Sequence, residues 1–276
     1  MATWAEYTTV TDVRSTYRGT SATGQDTLFL DLIRSTSRDM EQIAGGRKFY
    51  PRVETRYFDK PADRALDLDD DLLVVTTLTN GDATVVAASD YNLYPFNQTP
   101  YYQVRLRSTS SVVWQIDSNG DFERAISLLG IWGYHADYGG LAWLENGNTL
   151  AAAISSTTAT TFTCTTGKAR GGDLLKIDSE YLYAESVSTG ASDTVTCIRG
   201  VNGSTAATHL IAAPVTRWYQ PSLEMICRMA VSAYERLKNN PVGESVEVDG
   251  YRFETPKDVK KWIASQMAES GFLRPR

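Results

Sequence analysis

The sequence predicts an α+β fold in which helices from the two ends of the chain form a bundle that is interrupted by inserted β-rich domains. One long segment, "DTLFLDLIRSTSRDMEQIAGGRKFYP", has the apolar spacing of an amphipathic helix. Similar helical spacing returns only after residue 220, and the sequence in between is alternating or β-branched. Because a helix with one apolar stripe must bury that stripe, we expect the two ends to pack together around a β-rich middle.

Two helices are predicted near the N-terminus. Thr9 lies three residues before Asp12, a capping pattern that predicts a short helix over residues 11 to 18. After the loop "GTSATGQ", Asp26 is expected to cap the long helix, which ends at the pair Gly45-Gly46. The apolar stripe of this helix consists of Phe29, Ile33, Met40 and Ile43.

The period changes to that of strands after Phe49. The runs "VETRYFD", "LLVVTTLT" and "ATVVAA" predict strands, and Asn80-Gly81-Asp82 between the last two predicts a hairpin turn. Further strands are predicted at "YQVRLR" and "VVWQI". The run "RAISLLGIWGYH" is ambiguous between helix and strand, but its large apolar residues share one parity and two glycines interrupt it, which favours a strand.

A second small β module follows, with predicted strands at "TFTCTT", "LLKID", "YLYAES" and "DTVTCIRG". Helical spacing then returns at residues 221 to 238 and 256 to 270, separated by the hairpin-like "SVEVDGYRFET". The predicted organisation has five parts: bundle residues 1–48, a β domain 49–140, an inserted β module 141–213, bundle residues 214–270 and a tail 271–276.

Composition excludes several classes of function. The 276 residues carry a net charge of −6 and have a sequence pI near 5.1, whereas strong phosphate binding needs clustered Lys and Arg. The first residues lack the basic and apolar regions of a signal peptide, and no run approaches the ~20 apolar residues of a membrane span. We therefore expect synthesis in the cytoplasm, no membrane association and no tight binding to DNA.

The search for chemistry yields no catalytic, cofactor or metal site, so we expect a protein that is not an enzyme. Cys164, Cys197 and Cys227 show no metal-binding spacing and are expected to be small buried hydrophobes. The carboxylates of residues 67–71 are favoured as a solvated turn, because a Ca²⁺ loop would need Gly and Glu where Leu72 and Leu78 stand. The only candidate general bases at neutral pH, His135 and His209, are favoured as structural residues.

The run "YNLYPFNQTPYY" is the most unusual local cluster in the sequence. Tyrosine-rich surface segments are favoured at interfaces because they bury a large area at low entropic cost. The alternative is that these rings simply cover the sheet, and the sequence leaves both readings open. The candidate interface aromatics are Tyr91, Tyr94, Phe96, Tyr101 and Tyr102.

Several segments together resemble the head-tail connector (adaptor) proteins of tailed bacteriophages. They are "SRDMEQIAGGRKFYPRVETRYFD", "DLLVVTTLTNGD", "DYNLYPFNQTPYYQVRL" and "GIWGYH". In that family a long helix ends at a Gly-Arg-x-Phe-x-Pro element and a β domain interrupts the helical bundle. The resemblance covers residues 9 to 135 and, more loosely, the helices after residue 220. "VTCIRGVNGSTAATH" also resembles an Arg-Gly-x-Asn-Gly-Thr-x-Ala-x-x-His pattern of phage tail and connector proteins, with Ser204 in place of Thr.

The resemblance implies a virion structural protein at the head-tail junction. Such adaptors form a homo-oligomeric ring, usually of twelve copies, that docks on the portal protein and forms part of the DNA channel used in genome ejection. The tail-side partner would be a connector, stopper or tail-terminator protein, and double-stranded DNA would pass without specific binding. By position, portal contact would come from the C-terminal tail: Gly271, Phe272, Leu273, Arg274, Pro275 and Arg276. Within this tail, Phe272 and Leu273 are expected to be exposed apolar anchors.

Two other readings compete with the adaptor. The Thr/Ser/Gly-rich β module and the surface aromatics are also typical of a carbohydrate-binding or receptor-binding phage tail protein. An enzyme that cleaves glycans is the third reading, although no residue pattern requires it.

Overall fold

The structure, a computed structural model, describes residues 5–17, 24–239, 245–248, 251–254 and 258–273. Its secondary structure consists mainly of two antiparallel sheets, of five and six strands. The predicted fold class is therefore wrong, because the chain is not a helical bundle interrupted by inserted domains. Each large sheet buries an apolar cluster of its own. Within the described residues, strands form the larger part of the regular secondary structure and four α-helices form the smaller part.

The chain divides into two compact units. The first unit contains Arg47–Ala142 and the short segment Asn202–Ser204. The second unit contains Trp143–Val201 together with the described residues before Arg47 and after Ser204. The second sheet and all four helices thus belong to the same unit.

The first unit is built on a five-stranded antiparallel sheet with the strand order β1-β5-β2-β4-β3. Its strands are β1 (Arg52–Phe58), β2 (Ala65–Thr79), β3 (Tyr91–Tyr94), β4 (Tyr101–Leu106) and β5 (Ile126–Trp132). The ambiguous run "RAISLLGIWGYH" does form a strand. Ile126, Leu128 and Trp132 lie on the same face of this strand, and all three are buried in the core. The strand predictions at "VETRYFD", "LLVVTTLT" and "YQVRLR" are also confirmed.

Two strand predictions in this unit are wrong. The run "ATVVAA" makes only an isolated bridge, Thr79 to Val85, and "VVWQI" has no strand partner. In "VVWQI" two backbone groups are bound by the side chain of Asn80, which donates to the Val113 carbonyl at 2.9 Å and accepts from the Gln115 N–H at 2.9 Å. These bonds satisfy backbone groups that a sheet ladder would otherwise satisfy.

The acidic run 67–71 is part of strand β2, so the predicted solvated turn is also wrong. Asp71 is fully buried and pairs with Arg47, Nε to Oδ2, at 2.8 Å. The Arg47 guanidinium also lies 4.3 Å from the centre of the Tyr134 ring. Arg47 is the arginine of "GGRKFYP", so this element is fixed by a buried ion pair.

The second unit contains a six-stranded antiparallel sheet with the order β6-β11-β8-β9-β10-β7. Its strands are β6 (Trp143–Leu144), β7 (Thr161–Cys164), β8 (Leu174–Ile177), β9 (Glu180–Ser188), β10 (Asp193–Ile198) and β11 (Thr216–Trp218). The four strands predicted for this region are β7 to β10, and the short β6 and β11 were not predicted. The predicted hairpin near the C-terminus forms from β12 (Ser245–Val248) and β13 (Tyr251–Glu254).

The helices of the second unit are α1 (Val10–Tyr17), α2 (Asp26–Ile43), α3 (Pro221–Asn239) and α4 (Val259–Glu269). The predicted cap of α1 is confirmed, because Thr9 Oγ1 accepts from the Asp12 N–H at 3.1 Å. The predicted cap of α2 is wrong. Gln25 occupies the N-cap position without a side-chain hydrogen bond, and Asp26 instead lies 3.4 Å from the Arg14 guanidinium.

Helix α2 contacts both C-terminal helices. Ser37 of α2 lies beside Cys227 of α3, with 3.8 Å between Oγ and Sγ. Asp39 of α2 pairs with Lys260 of α4 at 2.9 Å. Among the described residues, no helix is both long enough and apolar enough to cross a membrane.

Candidate functional site

The loop that carries the Arg-Gly-x-Asn-Gly pattern encloses one buried carboxylate, that of Glu180, the first residue of β9. We call Glu180, Arg199, His209 and Asp178 the Glu180 clamp. Arg199 stands at the start of the pattern and His209 at its end, while Asp178 and Glu180 come from the tight turn between β8 and β9. The two ends of the loop therefore meet at one side chain.

Both oxygens of Glu180 are saturated with hydrogen bonds. Oε1 accepts from Arg199 Nε at 2.6 Å and from the Gly200 N–H at 3.1 Å. Oε2 accepts from Arg199 Nη2 at 2.6 Å and from the Ala207 N–H at 3.0 Å, and it lies 2.8 Å from His209 Nε2. Five donors for one carboxylate exceed its roughly four lone-pair sites.

The electrostatics of the clamp are those of a structural ion cluster. Burial raises the pKa of Glu180, but the hydrogen bonds from Arg199, Ala207 and His209 outweigh burial and leave that pKa lowered. His209 Nδ1 lies 2.7 Å from a carboxylate oxygen of Asp178, so each ring nitrogen faces a carboxylate. Both carboxylate oxygens of Glu180 and both ring nitrogens of His209 are thus engaged by partners within the protein.

The backbone conformation of the loop explains why the pattern contains glycines. Gly200 and Gly203 have φ angles of 61° and 82°, and Asn202 between them has φ 52°, a left-handed conformation that Gly and Asn adopt most readily. A side chain at Gly203 would overlap the carbonyl oxygen of Val53, which lies in the same compact unit. The pattern therefore encodes a tight loop that approaches another backbone closely.

Directly after His209 the chain makes a turn that displays two large aliphatic side chains. We call residues 210–213 the aliphatic turn. Its Leu210 is 81% exposed and its Ile211 is 63% exposed. The turn closes with a hydrogen bond from the Ala213 N–H to the Leu210 carbonyl at 3.2 Å.

The backbone of the aliphatic turn is held on both sides. His209 and Ile154 exchange two backbone hydrogen bonds of 2.9 Å each. Leu150 accepts from Ala212 at 2.9 Å and donates to Ala213 at 3.0 Å. The turn is thus a rigid apolar projection that rests on the Glu180 clamp and on the core of the second sheet.

The second unit also contains an open cleft of about 520 Å³ between helices α1 and α2 and strand β9. Val10, Leu30 and the buried Ile33 supply apolar lining, and Thr27 lies at the exposed start of α2. At one side of the cleft, Arg34 pairs with Glu6, Nε to Oε1, at 3.2 Å. The volume lies within the range of clefts that hold small ligands or a few side chains.

The predicted interface aromatics lie on and beside the hairpin of β3 and β4, which we call the aromatic hairpin (residues 91–106). Phe96 is 58% exposed and Tyr102 is 51% exposed, whereas Tyr91, Tyr94 and Tyr101 are half-buried. The rings of Tyr94 and Phe96 are in contact, with centroids 4.3 Å apart. Three of the five rings therefore cover the sheet, and the other two, Phe96 and Tyr102, are exposed enough to contact a partner.

The loop of the aromatic hairpin is tied to a neighbouring segment. Thr99 Oγ1 donates to the His135 carbonyl at 2.7 Å and accepts from the Tyr138 N–H at 3.1 Å. His135 is buried, and its Nδ1 accepts from the Asp137 N–H at 3.0 Å. The structural role expected for His135 agrees with these contacts.

The C-terminal segment ends helix α4 with a Schellman motif. Gly271 has φ 73°, the Gly271 N–H donates to Ala268 at 3.1 Å and the Phe272 N–H donates to Met267 at 2.9 Å. Phe272 is only 7% exposed, so the expectation of an exposed apolar anchor at this position is wrong, and Leu273 is half-buried. Arg274, Pro275 and Arg276 lie outside the described residues. Portal contact by residues 271–276 stays a prediction.

The remaining candidates show no reactive arrangement. Cys164, Cys197 and Cys227 are buried free thiols, and burial raises the pKa of each, to about 11, 11 and 12. Over the part of the chain that the structure describes, no group of three or more His, Cys, Asp and Glu side chains could hold a metal ion. Asp70, in the acidic run, is paired instead with Arg52 and Arg56 at 2.7 and 2.8 Å.

Comparisons of the chain with protein-family models, with curated proteins and with solved structures found no match. The fold and the site geometry therefore carry the functional argument. The sequence reading missed the role of Glu180, because its partners are 19 and 29 residues away. It also missed the aliphatic turn, whose signal was a Leu-Ile pair after His209 in a loop made mainly of Thr and Ala.

Proposed function

We propose that this chain is a virion structural protein, a head-tail adaptor whose copies form a ring that joins the portal vertex to the tail. One observation carries the proposal: large apolar side chains are exposed on hydrogen-bonded strands and turns. Soluble monomers scatter such residues singly, and a fixed, partly aromatic surface is typical of a protein-protein interface. The segments that resemble phage connectors supply the particular assembly.

The aromatic hairpin is the surface that we assign to a partner. Phe96 and Tyr102 are more than half exposed, while their neighbours Tyr94 and Tyr101 anchor the hairpin. Aromatic side chains bury a large area and lose little conformational entropy on binding, and they are enriched among the residues that dominate binding energy. The proposed partner of this surface is the portal or the tail-side connector.

The charged side chains support a structural role over a catalytic one. The Glu180 clamp, the Arg47–Asp71 pair and the cluster of Asp70 with Arg52 and Arg56 are each internally paired. The net charge of −6 on each chain also suits a ring around DNA, because an acidic bore repels phosphates and lets the genome slide.

The proposal is tested by mixing the purified protein with portal protein and measuring complex formation by electron microscopy and titration. We expect the wild-type chain to form rings on the portal and the F96S/Y102S variant to bind at least about tenfold more weakly. The matched control is V85S/V113S, which also removes exposed apolar side chains from the first unit and should bind as the wild type does. A wild-type chain that stays monomeric and fails to bind portal would contradict the proposal.

A further inference from the structure

The folding of this chain does not explain why the aliphatic turn carries apolar side chains. Leu210 and Ile211 contribute little to the fold, since most of each side chain is exposed. The backbone of residues 209–213 nevertheless takes part in five hydrogen bonds, and His209 at its base belongs to the buried Glu180 clamp. A rigid projection with an apolar tip is a good shape for insertion into a cleft, because little conformational entropy is lost on docking.

A cleft of suitable size and lining exists in the same unit, between helices α1 and α2 and strand β9. Its volume of about 520 Å³ is large enough for two aliphatic side chains. Val10 and Leu30 offer apolar contacts within a lining that also contains charged and hydroxyl side chains. The Arg34–Glu6 pair at its side can contact the backbone of an inserted turn.

The turn does not occupy the cleft of its own chain. None of its residues lines that cleft, and Leu210 and Ile211 are 81% and 63% exposed. The backbone of the turn is held at Leu150 and, through His209, at Ile154, two residues of the core of the second sheet. The apolar tip of the turn is therefore available to a second copy.

We propose that the aliphatic turn of one copy inserts into the α1–α2–β9 cleft of the next copy. This inference rests on the proposed function, since it names the contact between neighbouring copies of the ring. Two different surfaces then meet at each contact, which is the head-to-tail type that produces closed rings when the rotation between copies closes. Each contact is small, and closure of the ring holds many of them at once, which raises the effective strength.

A second copy fits the turn better than a lipid surface. Residues 205–216 contain no Lys or Arg, and Asp178, which pairs with His209 at the base of the turn, has a carboxylate side chain that is 61% exposed. Stable binding to an anionic membrane normally needs basic residues next to the inserted apolar ones. Binding to neutral or anionic vesicles is therefore an outcome that would overturn the inference.

The test uses cysteine cross-linking between two separately purified variants of the full chain, I211C and T27C. Both positions are exposed, and the three native thiols are buried. With a short thiol-specific cross-linker, we expect a mixture of I211C and T27C to give a heterodimer, and each variant alone to stay uncross-linked. The doubly substituted chain should give a ladder that ends at the ring size. V85C, exposed in the first unit, replaces I211C as the control and should not cross-link to T27C.

The outcomes separate this inference from the proposed function. A ring seen by native mass spectrometry without the I211C–T27C product would overturn the inference and leave the adaptor proposal standing. Cross-linking of I211C to itself, or equal cross-linking with V85C, would likewise overturn it. A chain that remains monomeric with and without portal and gives no product would overturn both. As a second readout, L210S/I211S should weaken self-association by about tenfold or more for each side chain and leave the melting temperature unchanged.

Discussion

The Glu180→Gln substitution removes the negative charge at the centre of the Glu180 clamp and keeps the shape of the side chain. In the native protein the carboxylate is fully buried and receives two hydrogen bonds from Arg199, whose side chain is also nearly buried. Glutamine offers one acceptor oxygen and turns an N–H₂ group toward donors. The Arg199 guanidinium then lacks a counter-charge in the interior, a change that typically costs about 3–5 kcal/mol.

Urea unfolding followed by circular dichroism at pH 7 measures this loss. Because the chain has two compact units, two transitions can be resolved, and we expect only that of the second unit to shift. The matched control is Glu185→Gln, on the same strand but exposed, which should change the free energy of unfolding by less than about 0.5 kcal/mol. A loss below about 1 kcal/mol for Glu180→Gln would refute the account of the clamp.

The same substitution has a predictable effect on acid stability. The pKa of Glu180 is lowered from its ordinary value of 4.5, so its ionised form is favoured by folding. Its stabilisation is fully present above pH 4.5 and is lost as the pH falls through the lowered folded value. Unfolding curves from pH 6 to pH 3 should therefore fall more steeply in the wild type than in Glu180→Gln.

Three further substitutions test other parts of the account. Burial raises the pKa of Asp173 to about 6 from 3.8. As the pH falls from about 7 to 4, the carboxylate of the folded protein therefore binds a proton before that of the unfolded protein does. Protonation of this group then stabilises the folded state. Asp173→Asn should abolish this gain in stability, worth about 2–3 kcal/mol, in thermal melts across that range, and an unchanged pH profile would contradict it. Asp71→Asn leaves Arg47 without its buried counter-charge and should lower the free energy of unfolding of the first unit by about 3–5 kcal/mol. The control, Asp69→Asn at an exposed position of the same strand, should cost under about 1 kcal/mol. Equal losses of the two variants in urea unfolding would contradict a stabilising role of the buried pair. Gly46→Ala forces a side chain into the left-handed backbone at φ 88° and should lower stability by about 1 kcal/mol, measured as a reduced melting temperature.

Local sequence patterns predicted the positions of individual helices and strands better than the relative amounts of helix and sheet in the fold. The alternation of Ile126, Leu128 and Trp132 was sufficient to identify β5, and the spacing of apolar residues located all four helices to within a few residues. The fold class was wrong because the long N-terminal helix was given too much weight, and the strands were treated as insertions. The failure at "VVWQI" has a local cause, since the side chain of Asn80 takes the bonds that a strand partner would take.

The proposed interaction surfaces and the Glu180 clamp were harder to predict from the sequence than the helices and strands. The aromatic hairpin was recognisable by composition, although only Phe96 and Tyr102 among its candidate rings are largely exposed. Phe272 was expected to be an exposed apolar anchor of the C-terminal tail, but it is buried next to the Schellman motif at Gly271. The Glu180 clamp depends on contacts across 19 to 29 residues, and no local pattern reports such distances.

The central claim is that copies of this chain assemble into a ring on the portal. Native mass spectrometry of the purified protein, alone and with portal protein, tests it most directly. The account predicts a discrete high-order homo-oligomer, of about twelve copies, either in the free protein or bound to the portal. A strictly monomeric protein that forms no complex with portal at any concentration tested would contradict it.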